Sequence, residues 1–126
     1  MTIGYITIGY NDEAQGVAFY DAVLGAIGYA RGPVEDGWAF YGKGDAPGVG
    51  LCKPFDGQPA RGGNGAMIGF KAETQDEVRA AYSAALANGG ADEGAPGFRP
   101  PEATSGFYGA YVRDPAGNKL CVYVST

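Results

Sequence analysis

The 126-residue chain is 45% hydrophobic, carries a formal net charge of −5 and contains no histidine. Its length suits one domain whose core needs no staples; the acidic balance excludes a phosphate-neutralising nucleic-acid surface, and the missing imidazole excludes Ser–His and Cys–His catalysis. No apolar run approaches membrane-spanning length and the N-terminus lacks a signal pattern, so a cytoplasmic protein without membrane partners is expected, with its two cysteines as reduced thiols.

Residues 2–10 alternate, with Ile6, Ile8 and Tyr10 on one face of an expected strand and Ile3, Tyr5 and Thr7 on the other. A helix is expected from Asn11 or Asp12 through Val17, Phe19, Tyr20, Val23 and Leu24, ending by Gly28. Extended segments follow at about 29–33, 37–42 and 48–54, and the Gly- and Pro-rich stretch from Pro54 to Gly65 reads as a linker. A second strand spans 65–71. The capping box Thr74-Gln75-Asp76-Glu77 then announces a helix with the stripe Val78, Ala81, Tyr82, Ala85 and Leu86, stopped by Gly89-Gly90. Extended segments at about 91–99, 106–113 and 118–124 complete the chain. Asp12, Glu13, Asp76 and Glu77 fall where they cap helices and complement their dipoles.

The order strand, helix, three strands thus occurs twice, and the residues repeat with it. Tyr5 matches Met67, Tyr20 matches Tyr82, Leu24 matches Leu86 and Gly28 matches Gly90, each 62 positions on. Asp45 matches Asp114, Gly48 matches Gly117, Leu51 matches Leu120 and Cys52 matches Cys121, each 69 positions on. This period is too long for a solenoid and too short for two independent domains. It predicts an α+β domain of two tandem βαβββ modules, about 1–55 and 65–126 around a linker at about 56–64, forming a curved mixed sheet with the helices on its convex face.

Alternation assigns the faces. Val49 and Leu51 lie opposite Gly50 and Cys52, and Leu120, Val122 and Val124 lie opposite Lys119, Cys121 and Tyr123. The aliphatic sets are expected to pack on the helices. The other face then bears Tyr5, Cys52, Met67 and Cys121, with Thr7, Gly50 and Gly69 between them, and the small residues leave room for a ligand.

The strand Ile6-Thr7-Ile8-Gly9, the helical Phe19-Tyr20-Asp21, the segment Gly106-Phe107-Tyr108-Gly109-Ala110-Tyr111-Val112 and the turn Asp114-Pro115-Ala116-Gly117-Asn118 resemble the vicinal oxygen chelate superfamily. That superfamily comprises glyoxalases, bleomycin-resistance proteins and extradiol dioxygenases, and its paired modules match the whole chain. The resemblance implies a homodimer and a ligand cleft between paired modules. It also implies metal-ligand positions, normally His, His and Glu, at Tyr5, Cys52, Met67 and Cys121. None of these is an imidazole or a carboxylate, so no metal and no other cofactor is expected.

On this reading Tyr5, Cys52, Met67 and Cys121 line a cleft for a small organic molecule, with Trp38, Phe40, Phe107 and Tyr111 as aromatic walls. Arg99 and Arg113 are candidates to hold an anionic group. Two alternatives stay open: a lyase, isomerase or dioxygenase of the same superfamily acting on a small metabolite, and a soft-metal or redox site where Cys52 and Cys121 meet across the cleft.

Overall fold

A computed structural model describes residues 2–126. Strand β1 (Tyr5–Gly9) leads into helix α1 (Glu13–Gly25), followed by β2 (Ala30–Glu35), β3 (Trp38–Gly42) and β4 (Gly48–Cys52). The second module repeats the order with β5 (Ile68–Lys71), α2 (Gln75–Ala87), β6 (Ala91–Phe98), β7 (Phe107–Arg113) and β8 (Lys119–Ser125). The α+β plan of two tandem modules therefore holds. The sheet is divided: one runs β1-β4-β3-β2 and the other β5-β8-β7-β6. In each, the first strand pairs parallel with the last and the remaining pairs are antiparallel.

Local chemistry sets the helix starts. The Asp12 carboxylate accepts from the Gln15 amide at 2.9 Å and the Thr74 hydroxyl from the Glu77 amide at 3.1 Å. Glu77 closes its box one residue early, accepting from the Glu73 amide at 3.0 Å. Each such cap stabilises its helix by about 1 kcal/mol. Gly89, at φ +88°, ends the second helix in the conformation that glycine adopts most readily.

The helices pack on each other and on their own sheets, so the buried side chains form one continuous cluster. Phe19, Tyr20, Val23 and Leu24 of α1 are fully buried, each apolar side chain contributing about 1.5–3 kcal/mol. On α2, Val78, Ala81 and Ala85 are buried, whereas Leu86, expected in the stripe, is exposed at its margin. Ile8, Val49 and Leu51, like Leu120, Val122 and Val124, face this core, as the alternation requires.

The ladders correct the repeat. The first strand and helix keep the interval of 62, since α1 begins at Glu13 and α2 at Gln75. Strands β3 and β7 end at Gly42 and Arg113, and β4 and β8 begin at Gly48 and Lys119, an interval of 71. Consistently, Ile8 faces Leu51 where Phe70 faces Val122. Cys52 thus corresponds to Tyr123, and Cys121 to Gly50. The 69-residue match of Asp45 and Gly48 with Asp114 and Gly117 reflects turn composition, and it lies two residues out of strand register.

The linker is pinned to the body. Asn11 and Ala60 exchange hydrogen bonds, Nδ2 to carbonyl at 3.0 Å and amide to Oδ1 at 2.7 Å. Gly62 lies so close to the Gly117 carbonyl that a Cβ there would collide with it.

Candidate functional site

Each sheet leaves the face away from its helix open, and the two open faces differ. On the first, Trp38 and Phe40 project from alternate positions of β3 and stack at 5.3 Å with an interplanar angle of 4°. Tyr5, 63% exposed, meets Phe40 edge-on at 6.3 Å. Gly50 on β4 lies beneath the stack, and a Cβ there would approach both rings to about 3 Å. The result is an uncharged aromatic shelf. Beside it a cleft of about 800 Å³ is lined by Thr7, Trp38, Cys52, Phe55, Arg61 and Asn118.

On the second open face, Phe107 and Tyr123 stack at 5.1 Å over Gly109. Next along β7 is Tyr111, opposite Cys121 in the ladder. The Arg99 guanidinium lies 5.5 Å from the centre of the Tyr111 ring and the Lys119 ammonium 5.8 Å from it. Met67 is half-exposed at the entrance of β5 and lines a second cleft, of about 630 Å³, with Arg113, Lys119 and the linker glycines. This face is aromatic and cationic.

Of the nine residues expected at the site, Tyr5, Trp38, Phe40 and Cys52 gather on the first face, and Met67, Arg99, Phe107, Tyr111 and Cys121 on the second. Neither cleft takes its expected site residues from both sets. Within one chain the two halves of the expected cleft therefore remain apart, because the shared core lies on the opposite side of each sheet.

Arg113 serves the fold. Its Nε pairs with Glu93 at 2.6 Å and its Nη1 donates to the Gly117 carbonyl at 3.0 Å. The cysteines are not related by the repeat. Cys121 is only 2% exposed, beneath Tyr111, and Cys52 is partly exposed beside Trp38. Burial pushes both thiols above their usual pKa; at Cys121 it outweighs the opposing pull of Tyr111, Arg99 and Lys119. Both are protonated at neutral pH, which makes them poor nucleophiles. Among the described residues no cluster of three His, Cys, Asp or Glu side chains is placed to hold a metal ion.

Sequence reasoning left out Phe55, Asn118, Lys119 and Tyr123. Alternation puts Lys119 and Tyr123 on the same face as Cys121 but does not by itself mark them as site residues. Phe55, in the linker, and Asn118, in a turn, gave no periodic signal.

Asn118 also belongs to the joint between modules. The buried Asp114 carboxylate accepts from the Tyr20 hydroxyl at 2.6 Å, the Asn118 side-chain amide at 2.8 Å, and the backbone amides of Ala116 and Asn118 at 2.9 and 2.8 Å. Asn118 Nδ2 donates in addition to the Gly9 carbonyl at 3.0 Å. Tyr20, from the first module, is held protonated far above its usual range by burial and by the Asp114 charge.

No helix among the described residues is long and apolar enough to cross a membrane. The chain has no significant match among curated proteins. It is 36% identical to a glyoxalase/bleomycin resistance protein from Albidiferax ferrireducens T118, over the full length of both chains, with a TM-score of 0.89. A glyoxalase-related enzyme from Fulvimarina pelagi shares the fold at 16% identity and a TM-score of 0.76, covering 99% of this chain and 88% of that one. A lactoylglutathione lyase from Agrobacterium tumefaciens shares it at 21% identity and 0.66, covering 98% and 92%. With residues 2–122 also matching the family model, the chain belongs to the glyoxalase/bleomycin resistance protein/dioxygenase superfamily.

Proposed function

We propose that this protein is a metal-free member of its superfamily that binds a small organic molecule in a cleft between paired modules of a homodimer. The observation that carries the reading is the aromatic shelf of Tyr5, Trp38 and Phe40, whose three rings are each more than a third exposed on an open sheet face. Shelves of this kind bind flat, partly apolar molecules. The positions implied for metal ligands offer a phenol, a thioether and two thiols divided between the two open faces, with no imidazole or carboxylate among them to meet a hard or borderline divalent ion.

Pairing of two chains is supported by the strand edges. The outer strand β2 carries Pro33 and a bulge, and β6 carries Pro96 and two bulges, devices that discourage edge pairing. Strands β1 and β5 carry neither, and Ile3, Tyr5 and Met67 stand exposed at their entrances. A second copy on these edges would set the aromatic face of one chain against the cationic face of the other. The reading assigns binding and no chemical step.

Native mass spectrometry of the reduced protein, beside a Cys52→Ser/Cys121→Ser variant, tests it. A dimer without stoichiometric metal, bare or carrying an organic adduct, is expected. A monomer, or a stoichiometric metal ion lost in the variant, overturns it.

A further inference from the structure

Arg99 and Lys119 stand out because they share an aromatic ring and have no acidic partner. Arg99 is held in place: its Nη1 donates to the Phe98 carbonyl at 3.1 Å and its Nη2 to the Ala95 carbonyl at 3.0 Å. Lys119 stands beside the same Tyr111 ring and is the ladder partner of Arg113. The two cationic groups flank one ring, at 5.5 and 5.8 Å from its centre, so they lie within about 11 Å of each other. Among the described residues neither forms an ion pair, and Glu93, a nearby acid, is occupied by Arg113. The net charge is −5, yet this open face keeps two cations uncompensated.

A surface lysine alone would extend into water and mean nothing. Here a guanidinium fixed by two carbonyls and an ammonium both lie against one phenol ring, which roofs the buried Cys121 beside a second aromatic stack. An anion seated against the ring would receive charge-assisted hydrogen bonds from a guanidinium already oriented by two carbonyls, with the Lys119 ammonium beside the same ring. On the opposing face the shelf of Trp38, Phe40 and Tyr5 is itself uncharged, and the cations of the cleft beside it, Lys53 and Arg61, share that lining with Asp56.

From this polarity we infer that the ligand is a small organic carboxylate with a flat apolar body, its anionic end held by Arg99 and Lys119 on Tyr111 and its body reaching toward the aromatic shelf of the paired module. The anionic end depends on the second module alone, while the body's contact rests on the pairing proposed above. Those two parts are separable by experiment.

Benzoate and 2-naphthoate, each beside its neutral primary amide, are titrated calorimetrically, and the fluorescence of Trp38, the only tryptophan, is followed in parallel. The acids are expected to bind at least about tenfold more tightly than the amides, and Lys119→Gln to remove about tenfold of that preference, the scale of one charge-assisted hydrogen bond. Lys119→Arg should restore it, and Arg99→Gln should abolish it. Lys119→Gln alters only a side chain with a solvated head, so it remains informative if Arg99→Gln disturbs the backbone that Arg99 braces. Equal binding of acids and amides with a Trp38 response overturns the anion assignment and leaves the aromatic cleft standing. A carboxylate preference that responds to Lys119→Gln while Trp38 stays silent keeps the anion site and removes the paired cleft. No binding of either acid at millimolar concentration, or a preference indifferent to both variants, overturns the inference.

Discussion

The turns 43–47 and 114–118 join equivalent strands, have the same length, and share an aspartate and a glycine, yet they do opposite work. In the first, Asp45 is exposed and the turn closes with a single Ala46-to-Lys43 hydrogen bond. In the second, Asp114 is buried, saturated by four donors, and tied to α1 of the other module through Tyr20. Duplication supplied the same material twice, and only one copy became the joint. A buried carboxylate is retained when every lone pair is met, and removing it strands its donors.

Substituting the two aspartates gives the sharpest break in this comparison. Asp114→Ala should lower stability by about 3–5 kcal/mol, because Tyr20, Asn118 and two amides lose their acceptor together. Asp45→Ala should stay within about 0.5 kcal/mol. Urea denaturation of both variants measures the contrast, and equal losses would mean that Asp114 does not carry the joint.

Gly28 and Gly90, matched in sequence at an interval of 62 although the left-handed counterpart of Gly28 is Gly89, extend the contrast at smaller scale. A Cβ on Gly90 would meet the Ala85 carbonyl and the Phe19 ring at 2.7 Å and the Arg113 carbonyl at 2.8 Å. Gly90→Ala should therefore destabilise by about 1–3 kcal/mol through overpacking. Gly28 sits at φ +96° against the flexible end of Lys43, so Gly28→Ala should show only the conformational penalty of about 1 kcal/mol. Thermal unfolding with matched analysis separates them, and a larger loss at Gly28 would reverse the assignment.

The thiols should separate the modules with no change in stability. Burial raises both pKa values, which lowers the thiolate fraction at neutral pH, so iodoacetamide should react slowly there and faster as pH rises toward 9 and beyond. Cys52 should be labelled first in the folded protein, and Cys121, beneath Tyr111, only as the chain opens. Site-resolved mass spectrometry reads the order; prompt labelling of Cys121 would place it in an accessible site.

Much of this architecture was legible in the residues. The period-2 alternation of Ile6 and Ile8, and of Leu120, Val122 and Val124, identified the packed faces. Asp12 and Thr74 marked the helix starts, and Tyr5, Trp38, Phe40, Phe107 and Tyr111 reached the open faces expected of them. Leu86 was misplaced because it lies at the margin of its stripe, where a few degrees of helix rotation decide burial. The division of the nine residues between two open faces was not legible, because it follows from each sheet turning its covered face to the common core.

Alternation, caps and glycine stops are local properties, so the sequence by itself determined the elements, their faces and the double module. Strand register is a long-range property that only the tertiary structure decided. Slipping a strand by one residue exposes its apolar set, but slipping it by two returns every side chain to the same face. Alternation is therefore blind to the two-residue shift that separates Cys52 from Cys121. The burial of Asp114 and the meeting of Arg99 with Lys119 on Tyr111 escaped for the related reason that each joins residues distant in the chain whose proximity no local pattern records.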